Sequence, residues 1–153
     1  MPKGRIGIGP SIRSSRSSKG LLRKIELLRQ INWSGRIRGI YCQSNAAVKP
    51  IFEEWMKPFA DLGMTQAVLR DTGGSDHGAL DYIGLPAFQF IQDPLDYSTR
   101  IHHTNMDVYD HLVAEDLIQS AVIMAAFVYQ TAVREEMLPR KPLPDPMKYP
   151  VRR

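Results

Sequence analysis

Hydrophobic and polar positions change rhythm several times along the chain. Leu21, Leu22, Ile25 and Leu28 fall on one helical face, which predicts a helix over 18–31. From Gly35 the pattern turns to α/β. Ile37 to Cys42 reads as a short strand. Ala47 to Leu62 reads as an amphipathic helix, because Ile51, Trp55, Phe59 and Leu62 recur at spacings of four, four and three. Pro50 suits its first turn, Pro58 should kink it, and Gly63 is placed to close it. Gln66 to Leu69 is a second strand. Thr72-Gly73-Gly74-Ser75 is a turn, after which Ser75 or Asp76 can cap a short helix ending at Tyr82. Pro86 to Ile91 is a third strand.

A loop from Gln92 to about Asn105 follows. A long helix then runs from Glu115 and Asp116, acids suited to a helix start, to about Glu136. Its middle, Ala121 to Tyr129, is apolar on all sides and predicts burial all round. Strands alternating with helices give the expected fold class: α/β, a partial, mostly parallel, doubly wound sheet with flanking helices. Three strands make a small sheet, which suggests that part of the domain lies elsewhere.

Composition divides the chain further. It has 153 residues and a formal net charge of +4, yet residues 1–30 carry eight Lys or Arg and one acid, leaving twelve basic and fifteen acidic residues in the remainder. Residues 1–17 are rich in Gly, Ser and Arg and poor in large apolar side chains, so residues 1–30 read as a basic, disordered leader. A basic arm can bind nucleic acid, but no aromatic residues interleave with its charges to stack on bases. The longest uninterrupted apolar run, Ala121 to Tyr129, is half of the ~18 residues a membrane span needs. No apolar segment follows the basic N-terminus as a secretion signal requires. Cys42 is the sole cysteine and has no internal disulfide partner. Residues 139–153 hold five of the eleven prolines and predict an extended tail over 138–153.

Candidate chemistry gathers in two places. Asp93 to His111 contains Asp93, Asp96, Tyr97, Arg100, His102, His103, Asp107, Asp110 and His111. It follows the C-terminal end of a strand, where ligands bind in open α/β sheets. Adjacent histidines usually diverge, so at most one of His102 and His103 is expected on a given metal, and a zinc site needs three or four ligands. A polar surface loop is the plainer reading of the same residues. The second place is Gly73-Gly74-Ser75-Asp76-His77, where Asp76 and His77 either face a pocket or belong to a solvated helix start. Ser75, Asp76 and His77 are too close in sequence for a Ser-His-Asp triad. The pair Glu53-Glu54 diverges around its helix and cannot share one site. Asn32-Trp33-Ser34 matches a glycosylation acceptor, a frequent chance match.

Taken together, several blocks resemble metallopeptidase family 28, which includes aminopeptidase Y and plasma glutamate carboxypeptidase. They are Gly35-Arg-Ile-Arg-Gly-Ile-Tyr41, Pro50-Ile-Phe-Glu-Glu-Trp55, Pro58-Phe-Ala-Asp-Leu-Gly63, Thr72-Gly-Gly-Ser-Asp-His77, Gly84-Leu-Pro-Ala-Phe-Gln-Phe90 and His102-His-Thr-Asn-Met-Asp-Val-Tyr-Asp110. The resemblance runs in order from about residue 35 to 144. It implies that residues 35–137 are the C-terminal part of a zinc exopeptidase catalytic domain. In the intact family a pair of zinc ions shares a bridging water, polarises the scissile carbonyl of a peptide or dipeptide substrate and lowers the pKa of that water.

The family's last ligand pattern falls on His103, Thr104 and Asp107, so the resemblance implies that His103 is a zinc ligand. Asp107 then either orients the site or caps a helix. Ser75, Asp76, His77, Tyr97 and Arg100 become pocket candidates. The family's earlier ligands and its general-base glutamate precede the block at Gly35. Ile31 stands about where one metal-binding aspartate would fall, and residues 1–30 look unlike the family. The expectation is an inactive piece when alone, from a truncated or frame-shifted gene, or else a non-catalytic interaction module on the same fold. A piece of this kind should self-associate through an exposed sheet edge. Family members are often secreted or periplasmic, and aminopeptidase and carboxypeptidase members share these blocks.

Overall fold

A computed structural model describes residues 27–30 and 34–143. The sequence readings for 1–26, 31–33 and 144–153 lie outside the described residues. In chain order the elements are β1 (Leu27–Arg29), β2 (Ile37–Tyr41), α1 (Lys49–Met56) running into a 3-10 segment (Lys57–Leu62), β3 (Gln66–Val68), α2 (Asp76–Tyr82), β4 (Ala87–Gln92), a π-type turn (Tyr97–Ile101), a 3-10 turn (Tyr109–His111) and α3 (Ala114–Val133).

The strands form one mixed sheet in the order β1-β4-β2-β3. β1 lies parallel to β4, and β2 parallel to β3, while β2 and β4 run antiparallel with an irregularity between Ile37 and Gly39. The α/β class with flanking helices is therefore present, with two parallel pairings to one antiparallel. The fourth strand is the correction. Residues 27–29 were expected to be helical, yet they pair with Ala87, Phe88 and Gln89, and Leu28 packs against the core. A weak helical period yields where a sheet edge offers backbone partners and a partly buried site for one side chain.

Pro58 divides the second expected helix. It has no N–H to offer Glu54, whose carbonyl instead accepts from the N–H of Lys57, and the backbone tightens to 3-10 form. Gly63 ends that segment in the left-handed conformation, φ 87°, its N–H bonding to Ala60 and its successor Met64 to Phe59. Gly39 matters for another reason. It sits where β2 meets β3, and a Cβ there would lie 2.0 Å from the carbonyl oxygen of Gln66.

The core lies on one face of the sheet. Ile37 and Ile40 of β2, Phe88 and Phe90 of β4, Phe52 and Met56 of α1 and Ile123 and Phe127 of α3 form one buried cluster. Its rings meet edge to face: Phe52 and Phe88 at 4.8 Å, Phe90 and Phe127 at 5.4 Å, Trp55 and Phe127 at 5.6 Å. Such pairs add about 0.5–1.5 kcal/mol each beyond area burial.

α3 does not meet its expectation of burial all round. Ile123 and Phe127 face the sheet, while Ala121, Val122, Ala125, Val128 and Tyr129 are exposed. Among the described residues only one side of the helix has a layer to pack on. By length and composition α3 is also apolar enough to cross a membrane, which the nine-residue run alone did not indicate.

The segment after α3 has no regular structure, yet it is fixed. Leu138 is buried, the carbonyl of Pro139 accepts from Asn45 Nδ2 at 2.7 Å, and Lys141 Nζ donates to the Gln43 carbonyl at 2.6 Å and to Asp81 at 2.7 Å.

Candidate functional site

The loop after β4 is held at its root. Arg38 Nε and Nη2 donate to both carboxylate oxygens of Asp93, at 2.7–3.0 Å. This bidentate bond and the charge of Asp93 raise the Arg38 pKa above its already high ordinary value. Gly35 packs against the same residue so closely that a Cβ would fall 1.9 Å from the Asp93 carbonyl oxygen. The chain then makes the π-type turn, in which the Arg100 and Ile101 N–H groups both bond to the Asp96 carbonyl.

The two histidines follow. His103 adopts a left-handed backbone, φ 59°, and is exposed. That reversal swings its ring back onto His102, with centroids 4.0 Å apart. His102 in turn lies 4.8 Å from the ring of Tyr97. Adjacent histidines were expected to diverge. Here the positive φ brings the two imidazoles together, and no sequence signal marks it, because histidine enters this conformation without a glycine. Thr104 fixes the bend, its hydroxyl donating to the Arg100 carbonyl at 2.7 Å and accepting from the Met106 N–H at 3.2 Å. Asp107 closes the same turn through its N–H, which bonds to the Thr104 carbonyl at 3.3 Å. It caps no helix: α3 begins at Ala114, and the short 3-10 turn is preceded by Val108.

A cleft of about 240 Å³ opens beside this loop, between Ser34, Leu95, Tyr97, Ile101, Asp110 and His111 among others. Its floor is tied by the Ser34 hydroxyl, which donates to the His111 carbonyl at 3.2 Å. Tyr97 borders both the cleft and the histidine pair. Arg100 is exposed and is not among the cleft residues. Ser34, Leu95 and Ile101 were not foreseen, since nothing in their types distinguishes them from ordinary loop residues.

The Gly73–His77 segment takes a different role. His77 is fully buried, so it is not solvated. Its Nε2 lies 2.9 Å from Thr72 Oγ1 and 3.2 Å from the Thr72 carbonyl. Thr72 Oγ1 accepts from Gln43 Nε2 at 2.9 Å and donates to Gln89 Oε1 at 3.3 Å. A hydroxyl has one proton, so His77 Nε2 must be the donor in its own bond to Oγ1. Nδ1 is also buried, and among the described residues it has no partner. Ser75 stands at the start of α2, but its hydroxyl makes no capping bond. Asp76 points outward, exposed, and pairs with Arg29. The site residues expected from sequence therefore fall into two groups. Tyr97, His103 and Asp107 share the loop after β4, with Arg100 on its exposed side. Ser75, Asp76 and His77 lie together at the start of α2, with Asp76 exposed and His77 buried.

No protein-family model matches the chain, and no curated protein does. Among solved structures the chain is similar to a Peptidase M28 precursor from Shewanella amazonensis SB2B, with a TM-score of 0.61 and 28% sequence identity. The match covers 73% of this chain and 25% of that one, so the chain spans about a quarter of the length of its structural relative. This likeness supports the M28 peptidase fold for the mixed sheet and its flanking helices.

Proposed function

We propose that the chain is the C-terminal part of the catalytic domain of a zinc-dependent exopeptidase, which hydrolyses peptide bonds at a chain end. The observation that carries this reading is the structural likeness to the M28 peptidase at 28% identity over most of this chain. His103 is the residue assigned to the metal. It is exposed on the loop after β4, where a donor from another part of a domain can reach the same ion.

The chain does not fit a zinc centre by itself. Among the described residues no three His, Cys, Asp or Glu side chains gather closely enough to hold a metal ion, and a catalytic zinc takes three protein ligands. No hydrolytic step is therefore assigned to these residues alone. Tyr97, which borders the cleft, is the side chain assigned to substrate contact.

The test is zinc content and hydrolysis. Dialysed chain should hold well under one zinc ion per molecule, and the His103→Ala variant less. Mixed with a polypeptide carrying the remaining donors, the chain should restore cleavage of aminoacyl or dipeptide substrates, and the variant should not. Restoration that ignores His103 overturns the assignment.

A second reading, a non-catalytic interaction module on the peptidase fold, is favoured by the bare apolar side of α3. Its discriminator is a mixture that binds tightly but hydrolyses nothing.

A further inference from the structure

α3 buries Asp116, Gln119, Ser120, Ile123 and Phe127 on one side. On the opposite side Ile118, Val122, Val128, Tyr129 and Val133 are 64%, 49%, 55%, 65% and 48% exposed. Exposed Ala121, Ala125 and Ala132 lie between them. Positions 118, 122, 125, 129 and 132 alternate spacings of four and three, the seam of a helix that packs along another helix. No charged residue occurs between Asp116 and Arg134. The five large side chains and three alanines expose on the order of 600 Å², at the top of the range for a monomer's largest apolar patch. Two such faces together would bury roughly 1,200 Å², which reaches the lower bound of specific interfaces.

We propose that this face is covered by the same face of a second copy of the chain, the two α3 helices packing antiparallel about a two-fold axis at Ala125. The stripe is complementary to itself in that register. Ala121 falls opposite Tyr129, Ile118 opposite Ala132, and Val122 opposite Val128, so the two largest side chains of the stripe, Tyr129 and Ile118, each meet an alanine. Ala125 meets its own copy where the backbones approach most closely. A parallel pair would instead set Tyr129 on Tyr129 and alanine on alanine, leaving voids along the seam. A two-fold contact of this type closes on itself and ends at the dimer. The inference does not depend on the peptidase reading.

Sedimentation equilibrium on the full chain tests it. The chain should sediment as a dimer at micromolar concentration, and Val122→Lys and Tyr129→Lys should each weaken association at least 100-fold. Both positions are exposed, so an unchanged circular dichroism spectrum and unfolding midpoint show that each variant is folded. Orientation is read separately by oxidation: Ala125→Cys should form an interchain disulfide and Ile118→Cys should not, with Cys42 buried and out of reach. A monomer at all concentrations overturns the proposal. A dimer indifferent to Val122→Lys does so too, and places the contact elsewhere, such as a sheet edge. Partition of the chain into phosphatidylcholine vesicles in place of dimerisation would give the face to a lipid surface.

Discussion

The side chain of Gln119, on α3, takes the place of a strand beside Ile37. Its Oε1 accepts from the Ile37 N–H and its Nε2 donates to the Ile37 carbonyl, both at 2.9 Å. A third bond, at 3.2 Å, reaches the Leu62 carbonyl at the end of the 3-10 segment. One amide thus joins α3, the first residue of β2 and the turn before β3. It does so where the β2–β4 register is irregular, so the backbone there needs a partner from outside the ladder.

Gln119→Leu keeps the volume and removes all three bonds. It leaves a buried N–H and carbonyl unpaired, and each such loss costs about 1–3 kcal/mol. The urea midpoint should fall by the equivalent of about 3 kcal/mol. Gln119→Glu should fall by a similar amount at neutral pH, because the carboxylate cannot donate to either carbonyl. A midpoint change under about 0.5 kcal/mol, the scale of a surface substitution, would show that the clamp contributes nothing.

The close approach of β2 and β3 gives a steric prediction. Gly39→Ala places a methyl 2.0 Å from the Gln66 carbonyl oxygen, a backbone atom that moves only if β3 moves. The strands must separate, and the loss should exceed the roughly 1 kcal/mol typical of a point substitution. Amide hydrogen exchange should show protection lost first at Cys42, whose N–H bonds to the Val68 carbonyl beyond the paired residues. Gly73→Ala is the control, since a Cβ there meets nothing within 4 Å.

How far the sequence disclosed this fold depended on the kind of signal each element carries. The central strands and α2 were legible from short apolar runs between turn residues, and the break at Pro58 from the missing N–H. β1 was not legible, because Leu27–Arg29 is a strand only by virtue of pairing with β4, a contact sixty residues away in sequence. The bare side of α3 escaped for the opposite reason. A segment apolar all round predicts burial, and whether a second layer exists to bury it is not written in the segment. In the loop after β4, the family resemblance singled out His103 and Asp107 from a run of titratable residues, whereas the edge-on contact of His102 with His103 accompanies one backbone angle.

Cys42 carries a pH prediction. Its thiol is buried, and burial pushes its pKa up from the ordinary 9.0 to about 11. The folded state therefore keeps the proton that the unfolded chain releases. The sign follows: stability is unaffected below pH 9, falls as pH rises from about 9 to about 11, and this thiol adds no further slope above that. The contribution to that fall is on the order of 2–3 kcal/mol at about 1.4 kcal/mol per pH unit. Cys42→Ala should flatten this part of the stability curve. At pH 8 a disulfide reagent should label the native thiol far more slowly than the thiol in urea.

Lys141 supplies a test of the segment after α3. Its ammonium bridges the Gln43 carbonyl and Asp81, both partly buried. Lys141→Met keeps the apolar stem and removes both bonds. Trypsin should then cut after Arg140 several-fold faster than in the parent chain, because the backbone on either side is released from the body. The loss in global stability should be modest, about 1–3 kcal/mol, in keeping with the charge-assisted bonds of one partly exposed ammonium. An unchanged cutting rate would mean that Leu138 and the Asn45–Pro139 bond hold the segment without it.

Asp76 and His77 are neighbours with opposite fates, and they separate a packing role from a pocket role. Asp76 is exposed and pairs with Arg29 at the surface, a class of contact worth about 0–1 kcal/mol. Asp76→Asn should leave the unfolding midpoint within that margin. His77 fills a buried site and anchors the Thr72 hydroxyl, which also serves Gln43 and Gln89. His77→Ala opens a cavity and takes a donor from a network of four side chains, which should cost about 3 kcal/mol or more. His77→Gln separates the two contributions. An amide can restore the donor to Thr72 but does not fill the imidazole's shape, so it should recover part of the loss and no more. If His77 instead served a pocket, the ordering would invert: His77→Ala would unfold at the parent's midpoint while altering ligand binding.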